Sequence, residues 1–171
     1  ISLRLVGSEM CIRDRDWMTW KGSYTFGDSI ILSYKIGDMD VLEMPSMEKF
    51  GKDNSIIRTL NLSPSENNNI LEIAHLENAS TEIIDFPKSN NSFAVLRDPS
   101  NDKSVLAVKF ISNLDLSWSI ENSHLRLNIP SSSSAGEIKI FMFDIAEKKL
   151  KKLAKTNFDE LSIADLSDFT N

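Results

Sequence analysis

The sequence predicts an all-β protein: an antiparallel β-sandwich of the jelly-roll or immunoglobulin-like kind, with roughly ten strands and a short C-terminal helical segment. Three observations predict it. Apolar and polar residues alternate with a period of two in one short segment after another. Polar turn sequences separate these segments at short intervals. No long helical pattern lies between them, which disfavours parallel βαβ units.

The composition of the chain excludes several classes of function. The chain has 171 residues, about one domain, and is 41% hydrophobic and 26% charged, as expected of a globular protein. A net charge of −6 argues against a nucleic-acid-binding protein, which needs a basic face. No apolar run approaches the roughly 20 residues that span a bilayer. One cysteine and two histidines exclude an internal disulfide, a multi-cysteine zinc site and a Cys-x-x-Cys-His haem attachment.

The first three predicted strands form a meander. Each carries apolar side chains at every second position, and Gly-Asp pairs at Gly27 and Gly37 suit the two tight turns. We expect the third strand to end at Pro45, because proline has no N–H to donate to a sheet. The strands are 18–26, 29–36 and 41–44.

The remaining strands follow the same rule. Within 124–129 the apolar residues Leu125, Leu127 and Ile129 should face inward, and His124, Arg126 and Asn128 should face water. Loops are expected at 63–69 and at the serine-rich 130–136. The further predicted strands are 56–62, 70–76, 81–86, 93–97, 104–111, 116–120, 124–129 and 137–145.

The chain changes character after residue 145. Segment 146–155 places Ala146, Leu150, Leu153 and Ala154 at helical spacing, with basic residues on the other face. We expect a solvated helix with one apolar stripe on the sandwich, since a membrane-surface helix is longer and has bulky aromatic anchors. Ser162 and Asp165 resemble a capping box, which predicts a helical turn within 163–169.

His75 is the first candidate for chemistry. Its spacing places it on the face of Leu71 and Ile73, where catalysis or metal binding would need a second ligand or an orienting carboxylate. The other histidine, His124, is assigned to a solvent face. The sequence therefore predicts no catalytic residue, no cofactor and no metal site, and a half-buried His75 bonded locally. A small enzyme built on His75 and a nearby carboxylate is the last alternative.

Acidic and serine clusters have local explanations. Asp38 with Asp40, and Asp98 with Asp102, flank turns where aspartate bonds the backbone, and their spacing matches no calcium-loop signature. The serines at 131–134 are expected to fill a loop. The chain contains no Gly-x-Ser-x-Gly elbow and no glycine-rich phosphate loop.

Aromatic residues give the best hint of a ligand. A flat row of exposed aromatics on a sandwich can stack sugar rings, whose faces are apolar, and this makes Trp20 and Trp118 candidate ligand-binding residues. Trp20, Tyr24 and Tyr34 share the parity of apolar neighbours, which favours the core instead. Trp118 lies between Ser117 and Ser119, and its role stays open.

The sequence indicates that residues 1–15 are not part of the native domain. They show no clear strand or helix pattern and no signal-peptide cleavage site, and the string resembles a translated sequencing adaptor found at the ends of proteins predicted from environmental reads. We therefore divide the chain into a non-native segment 1–15, a β-sandwich domain 16–145 and a helical connector 146–171 to a missing downstream domain.

A family resemblance rests on several short motifs. Trp-Lys-Gly-Ser-Tyr at 20–24, the strand Ile-Ile-Leu-Ser-Tyr at 30–34 and Val-Leu-Glu-Met-Pro at 41–45 are similar to a β-domain of large exported bacterial proteins. Those proteins carry a glucose/sorbosone dehydrogenase-like β-propeller and often a c-type cytochrome module. The tail 164–170 resembles the connector that precedes the propeller there.

The resemblance implies an accessory domain without catalytic residues of its own. Its partner would be the downstream propeller of the same parent chain, its location the periplasm or the outside of the cell, and the parent a sugar dehydrogenase-like oxidoreductase. The Gly-Gly-Pro segment, the propeller and any haem motif of that family are absent from this sequence. The alternative is an independent carbohydrate-binding module.

Overall fold

The computed structural model describes residues 17–89 and 91–170, so the interpretation of residues 1–15 lies outside the described part. Eleven strands in these ranges form two antiparallel sheets, which confirms the all-β prediction. They are β1 (Met18–Phe26), β2 (Ser29–Ile36), β3 (Met39–Phe50), β4 (Asp53–Leu62), β5 (Asn69–His75), β6 (Ser80–Phe86), β7 (Asn91–Arg97), β8 (Val105–Ser112), β9 (Ser117–Glu121), β10 (His124–Ile129) and β11 (Gly136–Ile145).

The large sheet has eight strands in the order β1-β2-β3-β4-β11-β8-β7-β6. Two meanders, β1 to β4 and β6 to β8, are joined by β11, which pairs with β4 on one side and β8 on the other. The small sheet has the order β5-β10-β9. The glycines at 27 and 37 occupy the first two turns with φ of +57° and +56°, a left-handed conformation that glycine adopts without steric cost.

The core between the two sheets is built from alternate residues of each strand. On β11 the residues Ile138, Ile140 and Met142 face the small sheet, where they meet Leu125 and Leu127 of β10. All five are buried, four of them completely. Burial of this kind contributes roughly 1.5–3 kcal/mol per large aliphatic side chain. The inward face predicted for β10 is confirmed.

The opposite face of the large sheet is covered by the C-terminal segment. A 3-10 turn (Glu147–Lys149) leads into the short helix α1 (Leu150–Leu153), and the chain then crosses the sheet. Phe158 is 1% exposed, and its ring centroid lies 5.1–6.2 Å from those of four phenylalanines. These are Phe50, Phe93, Phe141 and Phe143. The predicted apolar stripe on the sandwich is confirmed.

Two asparagines on that face hold the C-terminal segment in place. The Asn91 amide donates to the carbonyl oxygens of Ala154 at 2.8 Å and Thr156 at 3.1 Å. The Asn61 amide donates to the Ala164 carbonyl at 3.1 Å and accepts from the Leu166 N–H at 2.5 Å. These backbone N–H and C=O groups of the segment therefore find their hydrogen-bond partners in side chains of the sheet rather than within a long helix.

Two of the boundaries that differ from the prediction have a clear structural cause. β3 runs through Pro45 to Phe50, because β2 pairs with β3 only as far as Glu43 and the proline lies where β3 has one neighbouring strand. The last helical turn begins at 166 as a 3-10 helix, Leu166–Phe169, and its cap is Asp165, which accepts from the Ser167 N–H at 3.0 Å. Ser162 is not the capping residue.

Helical segments in the described part of the chain are all short. None of them has the length and apolar composition needed to cross a bilayer.

Candidate functional site

The aromatic residues of β1 lie at an exposed edge of the large sheet. Trp20 is 51% exposed and Tyr24 is 40% exposed, so neither belongs to the core, in contrast to the interpretation from parity. A β-bulge at Lys21 turns Tyr24 to the face of Ile31. Trp20 stays opposite Tyr34 on the predicted face, but it lies on β1, the last strand at this end of the described sheet, and is left exposed. The two rings therefore point to opposite sides of the sheet and form no single flat row. Tyr34 is buried, as expected.

Trp118 lies on the inner side of the small sheet. It is opposite Leu127 on β10 and packs against the core between the sheets. Its ring meets Phe110 of the large sheet edge-on, with the centroids 5.1 Å apart and an interplanar angle of 65°. The indole is thus half-buried at the edge of the sandwich, whereas Trp20 is open to solvent.

A second β-bulge changes the position of His75. Ala74 is opposite Leu125 and Glu72 is opposite Arg126, so that Ile73 is the extra residue of β5. Both Ile73 and Ala74 pack towards the core, and the alternation is shifted beyond them. His75 therefore lies on the outer, exposed face rather than on the face of Leu71 and Ile73.

The bulge brings both histidines of the chain together. His75 and His124 are directly opposite on β5 and β10, and their rings stack with centroids 3.9 Å apart and planes within 2°. The Glu72 carboxylate lies 2.8 Å from Nδ1 of His124. The sequence predicts His124 on a solvent face, and no spacing in it supports a metal site shared by the two histidines, because residues so far apart in the chain meet only through strand register.

A buried polar cluster joins the two sheets. The Tyr34 hydroxyl donates to Glu43 at 2.7 Å, and Nε of Arg58 donates to the same carboxylate at 2.6 Å. Arg58 also reaches the Glu72 carbonyl of the small sheet at 3.4 Å. Burial raises the pKa of the Tyr34 hydroxyl, and the nearby Glu43 charge raises it further.

The sequence does contain a pattern that points to this cluster, namely charged residues at inward-facing positions of two strands. Glu43 follows Val41 at the apolar spacing of β3, and Arg58 lies between Ile56 and Leu60 at the apolar spacing of β4. A charged residue at an inward position needs a partner, since an unpaired buried charge is costly. Two such residues on adjacent strands predict an ion pair once the register is known.

Asp38 lines an open groove of about 620 Å³, most of whose other lining residues are serines. Its carboxylate accepts from Ser65 Oγ at 2.7 Å, from the Glu66 N–H at 2.8 Å and from the Asn67 amide at 3.2 Å. These bonds lower its pKa to about 2. Asp40 pairs with Lys21 at 2.6 Å. The local bonding expected of Asp38 within its own turn is therefore not what holds it: its partners lie in the loop that follows β4.

Of the other predicted turn residues, Asp98 is bonded locally and the serine-rich loop bonds a distant loop. Asp98 accepts from the N–H and the hydroxyl of Ser100, at 2.8 and 2.6 Å. In the serine-rich loop Ser132 forms an isolated bridge with Ser65. Among residues 17–89 and 91–170 no group of three or more His, Cys, Asp and Glu side chains is placed to hold a metal ion.

Lys109 is a buried cation under the C-terminal segment. It is 7% exposed, and its Nζ lies 5.6 Å from the centroid of the Phe158 ring, a cation–π contact. Burial lowers the pKa of its amine, and Asp159 opposes that effect.

Comparison with known proteins gives one partial match. A family model described as a domain of unknown function (DUF6797) matches residues 11–43, which include β1, β2 and the beginning of β3. No curated protein matches the chain significantly, and no solved structure does.

Proposed function

We propose that this chain is a non-catalytic accessory β-sandwich module of a larger exported redox protein, and that it packs on the downstream propeller of that protein through β1. The observation that carries the proposal is the aromatic edge of β1. It is supported by the family resemblance of residues 20–45, which supplies the propeller as the partner, and the proposed location is the periplasm or the outside of the cell.

Exposed apolar surface is concentrated at this edge. Nine large hydrophobic side chains of the described residues are strongly exposed, and five of them lie within 17–30. These five are Trp17, Trp20, Tyr24, Phe26 and Ile30. Concentrated apolar surface of this kind is typical of an interaction site. Among the described strands β1 has β2 as its one neighbour, so within this part of the chain it is an edge strand to which another strand could pair.

The test uses the full parent reading frame. The module and the downstream propeller are produced as separate chains, and their association is measured by calorimetry for the wild type and for Trp20→Ser. We expect at least a tenfold loss of affinity, because exposed tryptophans at the centre of interfaces are frequent hot spots. The matched control is Ile83→Ser on the opposite edge strand β6, where Ile83 is 37% exposed. Equal affinity for Trp20→Ser and wild type would overturn the proposal.

Carbohydrate binding is the second candidate, and the exposure of Trp20 favours it. A ring that is 51% exposed can stack on a sugar, whereas Trp118 packs on Phe110. Retention on insoluble cellulose, chitin and xylan separates the two functions. If sugar binding is the function, Trp20→Ala should abolish retention and Trp118→Ala should chiefly lower the stability. A wild-type chain retained on none of them would reject this candidate.

A further inference from the structure

We propose that His75 and His124 form a site for a divalent late transition-metal ion on the outer face of the small sheet, oriented by Glu72. The two imidazoles are cross-strand neighbours whose ring centroids lie 3.9 Å apart. They are the two histidines of the chain. Imidazole nitrogen is a preferred ligand of Zn²⁺, Cu²⁺ and Ni²⁺. Since no third protein ligand converges here among the described residues, solvent would complete the coordination.

Glu72 fixes which nitrogen of the neutral His124 ring carries the hydrogen. A carboxylate can only accept, so a neutral His124 ring in this 2.8 Å contact donates from Nδ1. The lone pair is then on Nε2, the nitrogen that remains for a metal. This is the usual arrangement of a ligating histidine, whose other nitrogen donates to a carboxylate or a carbonyl.

The spacing of the rings suits two ligands of one ion. Nitrogens bound to a tetrahedral ion at 2.0–2.1 Å are about 3.4 Å apart. Imidazole lone pairs lie in the ring planes, so the two parallel rings must turn from their stacked positions, by roughly 50° each, before both lone pairs point at one ion. His75 is exposed and can make this change, whereas His124 has 26% of its side chain exposed and is the more constrained of the two.

The surrounding charge favours a cation. Glu72 and Glu121 flank His124 on the neighbouring strands, and both pair with the Arg126 guanidinium. The guanidinium lies 3.2 Å from Glu121 and 3.5 Å from Glu72, so its charge is already compensated. The local balance of these three groups is one negative charge, which an incoming divalent ion would neutralise.

Cu²⁺ is the probe for the test, because it binds nitrogen sites most tightly in the first-row series. Every variant carries Cys11→Ser to remove the thiol. Affinity is measured by calorimetric titration for the wild type, His75→Gln, His124→Gln and the double variant. Chelation predicts that each single variant binds at least tenfold more weakly and that the double variant is little worse than either single one. Small losses in the single variants that simply add in the double variant would overturn the proposal. A double variant that binds Cu²⁺ as tightly as the wild type would also overturn it.

Spectroscopy tests the ligands independently of affinity. Electron paramagnetic resonance of the Cu²⁺ complex should show two coordinated imidazole nitrogens in the wild type and one in each single variant. A spectrum that the double variant shares with the wild type would place the ion elsewhere. The thermal unfolding midpoint in EDTA should be unchanged by these surface substitutions. Added Cu²⁺ should raise the midpoint for the wild type only, since a ligand stabilises the state that binds it.

Glu72 is expected to act as a positioning residue. Glu72→Gln should weaken Cu²⁺ binding about tenfold, the usual size of the effect when a carboxylate behind a ligating histidine is lost. Glu121→Gln is the matched control, because it removes the same charge from the same face but is bonded to Arg126 and not to an imidazole. Equal losses for both variants would reduce the role of Glu72 to charge alone and contradict the orientation proposed for His124.

Discussion

Arg58 on β4 donates to the carboxylate of Glu43 on β3 at 2.6 Å, inside the sandwich. Only 14% of the Arg58 side chain and 6% of the Glu43 side chain are exposed. Because Arg58 also bonds a carbonyl of the small sheet, the pair connects the two layers. A buried ion pair adds little net stability compared with an apolar pair in the same position. Each charge nevertheless lowers the free-energy cost of burying the other.

Removal of one partner should therefore be costly. We expect Arg58→Met to lower the free energy of unfolding by about 3–5 kcal/mol, because Glu43 would keep a buried charge with Tyr34 as its remaining partner. Urea denaturation measures the effect. The control is Arg97→Met: Arg97 bonds two exposed glutamates, and surface pairs contribute at most about 1 kcal/mol. A loss for Arg58→Met no larger than that of the control would contradict this view of the cluster.

Tyr34 should make the protein sensitive to alkali. Its pKa is raised in the folded state, so above about pH 10 the unfolded chain releases the proton and the folded chain keeps it. The unfolded state then binds fewer protons, and stability falls as the pH rises. In Tyr24→Phe, which leaves Tyr34 as the single tyrosine, tyrosinate absorbance should appear together with loss of the β-sheet circular dichroism signal. Absorbance that rises while the sheet signal is intact would refute the prediction.

Asp38 should hold the loop that follows β4. Its depressed pKa means that the stabilisation of the loop is present above about pH 4 and is lost as the pH falls through about 2. Asp38→Ala should speed hydrogen exchange of the Glu66 amide, which bonds the carboxylate at 2.8 Å. Asp40→Ala, whose carboxylate pairs with Lys21 instead, should leave this amide unchanged. The prediction fails if both variants exchange at the wild-type rate.

Phe158 should anchor the C-terminal segment. Phe158→Ala removes a fully buried ring and should lower the free energy of unfolding by about 3–5 kcal/mol. Trypsin should then cleave more rapidly at the lysines of 148–155. The control is Phe169→Ala, whose ring is partly exposed and contacts Phe26 at 5.1 Å. Unchanged proteolysis with Phe158→Ala would show that α1 is held by other contacts.

Strand positions were predictable because alternation is local. β1, β2 and β10 have the predicted bounds, and most other strands differ by a residue or two. β4 begins three residues earlier than expected and β3 extends past Pro45, where the pairing of its neighbour decides how far a strand continues. The apolar stripe of Leu150 and Leu153 was equally readable, since helical spacing also depends only on nearby residues.

What the sequence by itself determined is the set of strands, their turns and the all-β class, because each depends on residues within a few positions of one another. Only the tertiary structure decided which faces Tyr24 and His75 occupy, that Trp20 is exposed, and which side chains meet. A bulge is set by the partner strand, and one extra residue reverses every later side chain. The stacked histidines and the Glu43–Arg58 pair exist because strand register joins residues that no short-range pattern relates.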